Sequence, residues 1–259
     1  MYNDYLNFLN TIDNIESINF KSNEKYNAIL EHVSYDSGKE YLTFIENEHS
    51  YISFQNILEF VNINDAYGVP NMEKFECNNG KILYCSPTSL RYVYHSLTIL
   101  NYYKDLNIDS IVEVGCGYGG LFLAISYFSK LLNIKINNYH LIDFPDVCTL
   151  IKKYIKINEN VIDNKINYFL HSCYDYKNTL LEKDLFLISN YCFTEISIEN
   201  RNDYIENLFD KIKNGFIIWQ TIFGLDISYT GIIKKSIKQI IDEKPQTANL
   251  VQKNYFVYF

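Results

Sequence analysis

Apolar positions divide the chain into a mostly helical first third and an alternating remainder. In the first third, apolar residues recur at helical spacing over residues 5–15 and again over residues 29–45, with an interruption at Ser37-Gly38. The pattern predicts a mostly helical N-terminal region, residues 1–85, followed by a second domain over residues 86–259.

A hairpin and a capped helix are expected where the two parts meet. Asn78-Asn79-Gly80 is typical of a hairpin turn and precedes a short apolar strand. Ser86 can cap a helix and Pro87 suits the first helical position, so the sequence predicts that a helix begins there.

From Asp109 onward, short apolar runs alternate with helical patterns. The predicted strands cover residues 111–114, 139–142, 166–170, 185–189 and 216–221, the predicted helices cover residues 121–132, 147–155, 201–212 and 232–241, and residues 255–259 form an aromatic strand-like run. Strands that alternate with helices indicate an α/β fold with a Rossmann-like parallel sheet flanked by helices. Ligands of such sheets bind beyond the carboxyl ends of the strands.

Composition indicates which partners and which cellular compartment to expect. The formal net charge is -8, which argues against a nucleic-acid partner because phosphate contacts need clustered Lys and Arg. The six cysteines form no CxxC pair, which indicates reduced thiols. The sequence starts without a secretion-type segment and has no apolar run long enough to span a bilayer, so a soluble cytoplasmic protein is expected.

A glycine-rich loop follows the first predicted strand of the alternating part. The segment reads Gly115-Cys116-Gly117-Tyr118-Gly119-Gly120, and glycines let the backbone turn tightly and approach a ligand. Its spacing also satisfies the GxGxxG fingerprint of dinucleotide sites. The glycines alone therefore leave both a nicotinamide cofactor and S-adenosylmethionine open.

Glu113 favours S-adenosylmethionine over a nicotinamide cofactor. It lies two residues before the first glycine, at the end of a buried strand, where a carboxylate is unfavourable without a cationic partner. The amino group of S-adenosylmethionine would supply that partner, whereas a pyrophosphate would be repelled. Asp143, after the second strand, is expected to accept hydrogen bonds from ribose hydroxyls, and Phe144 is expected to flank the adenine.

Four segments resemble the sugar O-methyltransferase family of the class I methyltransferases. They are Ser86-Pro87-Thr88-Ser89-Leu90-Arg91-Tyr92, the stretch from Val112 to Gly120, Ile142-Asp143-Phe144-Pro145-Asp146-Val147 and Ser189-Asn190-Tyr191-Cys192-Phe193-Thr194-Glu195, and Pro245-Gln246-Thr247 with Asn249 is similar to that family's C-terminal segment. The resemblance implies a Rossmann-like methyltransferase fold, S-adenosyl-L-methionine as cofactor with S-adenosyl-L-homocysteine as product, and a sugar hydroxyl as acceptor. Cys116 and Cys192 depart from the family, which usually has small residues at both positions.

The candidate site residues fall into three groups. Arg91 is placed to meet the cofactor carboxylate or an anionic acceptor. The residues predicted to bind the cofactor are Arg91, Glu113, Gly115, Cys116, Gly117, Gly119, Asp143, Phe144, Ser172 and Asn190, those predicted to bind the acceptor are Tyr118 and Tyr191, and those predicted to act in catalysis are Glu195 and His171.

Glu195 is the first choice for a general base, because a sugar hydroxyl is a poor nucleophile and Glu195 lies just past the fourth strand. His171 is an alternative base, although lining the adenine pocket would also explain it. No His, Cys and carboxylate group has metal-ligand spacing, so no metal is predicted.

Several alternatives stay open at the level of sequence. The same cofactor could serve a phosphorylated or phenolic acceptor, and a positively lined pocket would favour the phosphorylated one. A nicotinamide oxidoreductase is disfavoured by Glu113. A non-catalytic cofactor-binding or assembly protein is disfavoured by an intact set of Glu113, Gly117 and Asp143. The N-terminal helices could cover the acceptor pocket or form a homodimer surface.

Overall fold

The computed structural model describes residues 2–9, 19–27, 32–221, 224–248 and 252–259. The helices are α1 (Tyr2–Leu9), α2 (Glu24–Asn27), α3 (Tyr35–Glu48), α4 (Phe54–Asp65), α5 (Pro87–Tyr103), α6 (Gly120–Leu132), α7 (Pro145–Ile157), α8 (Tyr176–Thr179) and α9 (Ile198–Asn207). The strands are β1 (Glu73–Glu76), β2 (Ile82–Cys85), β3 (Ser110–Val114), β4 (Asn138–Asp143), β5 (Asn167–Ser172), β6 (Leu185–Ser189), β7 (Ile212–Gln220), β8 (Gln239–Asp242) and β9 (Asn254–Tyr258). Short 3-10 helices lie at Phe20–Ser22, Phe209–Lys211 and Ile227–Ile233.

Among the described residues, β3 to β9 form a seven-stranded sheet in the order β5-β4-β3-β6-β7-β9-β8. The first five strands in that order are parallel, and β9 runs antiparallel to both β7 and β8. Helices follow β3 and β4 along the chain. This strand order, with one reversed strand near an edge, confirms the expected Rossmann-like fold class.

The central strands are mostly apolar, and both of their faces are buried. All five residues of β3 and all five of β6 are buried, as is usual for inner parallel strands. On one face of the sheet, Val112 and Leu187 belong to a core that also contains Tyr204 of α9 and Trp219 of β7. This core fixes α9 beside the carboxyl ends of β3 and β6.

The chain forms two compact units. The sheet unit comprises Tyr103–Cys116, Lys135–Cys148 and Asn164–Phe259, and the helical unit comprises Met1–Tyr102, Gly117–Ile134 and Thr149–Asp163. The functional division at residue 85 stays a prediction. None of the described helices is both long enough and apolar enough to cross a membrane.

The helical unit confirms part of the sequence pattern and corrects one detail. The hairpin of β1 and β2 and the start of α5 are confirmed, and the Ser86 hydroxyl accepts a hydrogen bond from the Ser89 amide at 3.1 Å. The expected interruption at Ser37-Gly38 is wrong, because α3 runs through both residues. Gly38 serves close packing instead, since a Cβ there would lie 2.8 Å from the Phe75 ring. The rest of the predicted helical stretches, residues 10–15 and 29–31, lies outside the described residues.

The predicted helix over residues 232–241 is also wrong. A 3-10 helix ends at Ile233, Lys234 takes a φ of +51°, and residues 239–242 form the edge strand β8. Backbone pairing with β9 outweighs the helical spacing of the apolar residues. Strand β7 begins at Ile212 rather than at residue 216.

Candidate active site

The glycine loop begins in the sheet unit at Gly115, directly after β3. Gly115 has a φ of +81°, and its amide donates to the Ile142 carbonyl at 3.1 Å. A Cβ at this position would lie 2.4 Å from Cβ and 2.5 Å from Sγ of Cys192. Conformation and space therefore both require glycine here.

Asp143, the last residue of β4, is oriented by two backbone amides. The Cys116 amide donates to Oδ2 at 2.7 Å, and the Phe144 amide donates to Oδ1 at 2.8 Å. These bonds link the end of β4 to the turn after β3. They hold the carboxylate at the carboxyl edge of the sheet, where it was expected.

A cavity opens at this edge within the sheet unit. Its wall includes Gly115, Asp143, Phe144, Cys173, Tyr174 and Cys192, and residues of α9 complete it. The rings of Phe144 and Tyr174 lie 6.0 Å apart between centroids with a tilt of 59°. The cavity therefore combines a hydrogen-bond-accepting carboxylate, aromatic faces and a glycine turn, a combination that fits a nucleoside. Cys173 and Tyr174 were not predicted as site residues, although both follow the predicted third strand.

Glu113 lies on the other face of the sheet from the core that contains Val112. Its side chain is 2% exposed, and the Tyr139 hydroxyl of β4 donates to Oε2 at 2.7 Å. Burial raises the pKa of Glu113 to about 8, while the bond from Tyr139 lowers it. A buried carboxyl with such a raised pKa would be stabilised in its charged form by an incoming ammonium group.

Two further residues predicted to bind the cofactor lie at the same edge. Ser172 is the last residue of β5 and pairs in register with Asp143. Its hydroxyl accepts a hydrogen bond from the Tyr174 amide at 3.2 Å. Asn190 follows β6 directly and is half-buried.

The helical unit contains the remaining residues predicted to bind the cofactor, which are Arg91, Gly117 and Gly119. It also contains Tyr118. Gly117 and Gly119 have φ values of +55° and +89°. Arg91 is 8% exposed, with its guanidinium 5.5 Å from the centroid of the Tyr92 ring. Tyr118 is fully buried, and its hydroxyl donates to Oδ1 of Asn64 at 3.1 Å. That geometry explains Tyr118 as a core residue and gives its predicted role in acceptor binding no support.

Glu195 lies in the loop after β6, and Arg201 holds that loop. The Arg201 guanidinium, 7% exposed, donates to the carbonyls of Phe193, Thr194 and Ile196 at 3.1, 3.2 and 2.9 Å. Glu195 is exposed, but nearby protein atoms desolvate its carboxyl and raise its pKa, while a hydrogen bond with Gln220 at the end of β7 lowers it. A raised pKa makes a carboxylate a better proton acceptor.

His171 is buried and belongs to a chain of side-chain hydrogen bonds. Its Nε2 and Nδ1 lie 2.9 Å from Nδ1 of His140 and 2.7 Å from Oγ1 of Thr179. His140 in turn bonds Glu182 at 2.8 Å. Burial, and then the charges of His140 and Lys211, lower the pKa of His171 to about 4. Both ring nitrogens are engaged in hydrogen bonds within the protein, so the geometry favours a structural role over a catalytic one.

A second polar cluster lies beside the loop after β6, and its central residue, Glu243, was not predicted. The Tyr191 hydroxyl donates to Oε1 of Glu243. Thr247 and Asn254 donate to Oε2. The sequence signal nearest to Glu243 is the segment Pro245-Gln246-Thr247, whose family resemblance points to this stretch without singling out the carboxylate. Among the described residues, no group of three or more His, Cys, Asp and Glu side chains is arranged to hold a metal ion.

Neither a scan against protein-family models nor a search of curated proteins gave a match. Solved structures similar to the chain include an O-methyltransferase family protein from Burkholderia thailandensis, with 11% identity and a TM-score of 0.42 over 64% of this chain and 56% of that chain. The chain thus spans little more than half the length of that protein. An S-adenosylmethionine-dependent methyltransferase from Aquifex aeolicus has 15% identity and a TM-score of 0.43 over 61% of this chain and 86% of that chain.

A third similar structure is TrmK of M. capricolum in complex with S-adenosyl-homocysteine, with 12% identity and a TM-score of 0.41 over 61% of this chain and 66% of that chain. At these levels of similarity the fold class is established by the strand order and directions of the sheet itself. A ligand and a reaction have to be argued from the site.

Proposed function

We propose that the chain is an S-adenosylmethionine-dependent O-methyltransferase whose acceptor is a sugar hydroxyl. The observation that carries the proposal is the joint placement of Gly115 and Asp143 at one cavity. The carboxylate of Asp143 and the turn at Gly115 lie at the ends of adjacent parallel strands, the position where open α/β sheets bind nucleotides.

The residues at the cavity, together with Glu113, which directly precedes Val114 of the cavity wall, suit the parts of the proposed cofactor. Asp143 would accept hydrogen bonds from the ribose hydroxyls, and Phe144 and Tyr174 would contact the adenine. Glu113 would pair with the amino group of the methionine moiety. That pairing is favourable because Glu113 is buried and accepts from the neutral Tyr139 hydroxyl, so a cation would stabilise its charged form.

When bound, the cofactor supplies a sulfonium methyl group that an acceptor oxygen can attack in line. The protein has to orient the acceptor and remove its proton. Glu195 suits the second task, because it is exposed at the ends of β6 and β7 and has a raised pKa. Arg201 holds the loop that presents Glu195.

The choice of a sugar acceptor is supported by the resemblance of the Ser86–Tyr92 and Ser189–Glu195 segments to sugar O-methyltransferases. It is also supported by the polar, uncharged Gln220 beside Glu195, which is half-buried and hydrogen-bonds that carboxylate. The fully buried Thr194 holds Gln220 by donating to its Oε1 at 3.4 Å. An amide group of this kind recognises sugar hydroxyls through hydrogen bonds.

The experiment is a methyl-transfer assay with S-adenosylmethionine that carries a radioactive methyl group. The acceptor panel contains nucleotide sugars, free sugars, sugar phosphates, phenols and transfer RNA. We expect transfer to a sugar or nucleotide sugar. We expect Glu195→Gln to lower kcat about 100-fold or more while Glu199→Gln, an exposed carboxylate in the first turn of α9, changes nothing. Transfer only to RNA or only to phenols would refute the sugar acceptor.

A further inference from the structure

Tyr191 adopts a conformation that a residue with a large side chain rarely takes. Its φ is +56°, in the left-handed region that disfavours residues other than glycine, aspartate and asparagine. It is half-buried and follows β6 by two residues. Strained residues persist where the surrounding structure holds them and are concentrated at binding sites. The contacts of the side chain show what holds Tyr191.

Glu243, which follows β8, holds the Tyr191 hydroxyl. The carboxylate is 2% exposed. Its Oε1 accepts from Tyr191, and its Oε2 accepts from the Thr247 amide at 2.9 Å, the Thr247 hydroxyl at 2.7 Å and Nδ2 of Asn254 at 3.0 Å. These donors are all neutral. Burial raises the pKa of Glu243, and the bonds from Tyr191, Thr247 and Asn254 lower it.

The topology brings this cluster to the same sheet edge as the cofactor cavity. Strand β9 is antiparallel to its neighbours, so its first residue, Asn254, pairs with Gln220, the last residue of β7. Glu243 directly follows the last residue of β8. The proposed cofactor site uses the ends of β3 and β4, whereas the ends of β6, β7 and β8 with the start of β9 carry a separate polar cluster.

Asn254 adds an observation that is independent of Tyr191. The residue is 3% exposed, and its Nδ2 is used by Glu243 and by Thr247, the latter at 2.9 Å. Its Oδ1 is buried and accepts no hydrogen bond from any side chain or backbone group of the described residues. A buried carbonyl oxygen without a donor is unfavourable by roughly 1–3 kcal/mol. A hydroxyl group brought by a ligand would satisfy it.

We infer that Tyr191 and Asn254 form the subsite for the acceptor sugar, that Glu243 is the positioning residue that fixes Tyr191, and that the sugar bound there is uncharged. This inference rests on the proposed function and deepens it. Tyr191 contacts a sugar hydroxyl, and Oδ1 of Asn254 accepts from a hydroxyl.

The carboxylates at this edge disfavour a phosphorylated sugar as the preferred occupant. Glu195 lies in the loop after β6 and Glu243 follows β8, so two carboxylates flank the subsite. Lys253, which precedes Asn254, is paired with Asp242 at 2.6 Å. A phosphate near these carboxylates would be repelled, whereas a neutral hydroxyl would not.

The test uses protein saturated with S-adenosylhomocysteine. Binding of the methyl pyranosides of glucose, galactose and mannose, and of glucose 6-phosphate, is measured by saturation-transfer NMR. We expect at least one neutral pyranoside to bind, and to bind more tightly than glucose 6-phosphate. Loss of one neutral hydrogen bond predicts that Tyr191→Phe lowers the affinity about 2- to 12-fold. Tyr168→Phe, at an exposed tyrosine of edge strand β5, is the matched control and should bind like the wild type.

The variant Glu243→Gln tests whether Glu243 positions Tyr191 for the sugar or only stabilises the folded protein. We expect it to lower pyranoside affinity about as much as Tyr191→Phe, and the double variant to lose no more than either single variant, because both act through one contact. Each variant must still bind S-adenosylhomocysteine, which shows that it is folded. Failure of the wild type to bind S-adenosylhomocysteine would refute the proposed function. If that ligand binds, the inference is overturned by any one of three results: tighter binding of glucose 6-phosphate, no binding of any neutral pyranoside, or full affinity in Tyr191→Phe.

Discussion

Gly115 is the residue at which the packing of the proposed cofactor turn can be measured most directly. In Gly115→Ala, a left-handed φ of +81° should cost about 1–2 kcal/mol. The new Cβ, 2.4 Å from Cβ of Cys192, should add about 1–3 kcal/mol of overpacking. Reduced freedom of the unfolded chain offsets about 0.4–1 kcal/mol. The expected loss in free energy of unfolding is about 1–4.5 kcal/mol.

Two other glycines separate these contributions. Gly224 has a φ of +77°, and apart from its chain neighbours no atom of the described residues lies within 4 Å of the position that a Cβ would take, so Gly224→Ala should cost about 1 kcal/mol from conformation alone. Gly231 has open space and no positive φ, so Gly231→Ala should be neutral or slightly stabilising. The free energies are obtained from urea denaturation followed by circular dichroism.

Removing the clashing side chain completes the comparison. In a Cys192→Gly background, Gly115→Ala should cost no more than Gly224→Ala, which corresponds to a coupling of about 1–3 kcal/mol between positions 115 and 192. Equal losses in Gly115→Ala and Gly224→Ala, or no coupling with Cys192, would refute the close approach of the loop after β6 to the glycine turn.

Three further predictions concern titration and loop support. The folded-state pKa of His171 is lowered to about 4 from its ordinary 6.5, so its contribution to stability is complete above pH 6.5 and is lost as the pH falls toward 4, by at most about 3 kcal/mol. Urea denaturation against pH should show a slope in this range, and His171→Asn should reduce it. The slope that remains belongs to groups such as His95 and His140, whose pKa values are also lowered. Glu113 has a pKa of about 8 and is therefore about nine-tenths protonated at pH 7. Because the ammonium group of S-adenosylhomocysteine stabilises the charged carboxylate, binding should release close to one proton. The release is measured by calorimetry in buffers of different ionisation enthalpy. Glu113→Gln should abolish that release, and its persistence would assign the proton elsewhere. Arg201→Lys loses donors to three loop carbonyls and should lower the free energy of unfolding by about 1.5–3 kcal/mol; an unchanged value would contradict the support of the loop.

The sheet could be predicted because its strands carry a signal in their own residues. The fully buried β3 and β6 are short, mostly apolar runs, and turn residues bound them. The edge strand β8 was predicted as a helix, since its apolar residues fit both periods and only pairing with β9 decides between them. Pairing between segments is a long-range property that local spacing does not contain.

The same distinction applies to the candidate site. Asp143 and Gly115 could be placed from sequence because Asp143 ends, and Gly115 directly follows, a strand that the apolar pattern predicts. Glu243 could not, because it acquires its partners only when β8 and β9 bring residues 243 and 254 beside the loop after β6. Tyr118 shows the reverse case, since its place in the glycine loop suggested a ligand contact while its ring is fully buried.

The most direct test of the proposed cofactor is calorimetric titration of the purified protein with S-adenosylhomocysteine and, separately, with NAD. The proposal predicts micromolar binding of S-adenosylhomocysteine and no binding of NAD. Asp143→Ala should weaken binding roughly 10- to 150-fold, as expected for loss of hydrogen bonds to a charged group. Asp210→Ala, at an exposed aspartate of the 3-10 helix Phe209–Lys211, should bind like the wild type. Binding of NAD, binding of neither ligand, or full affinity in Asp143→Ala would contradict the proposal.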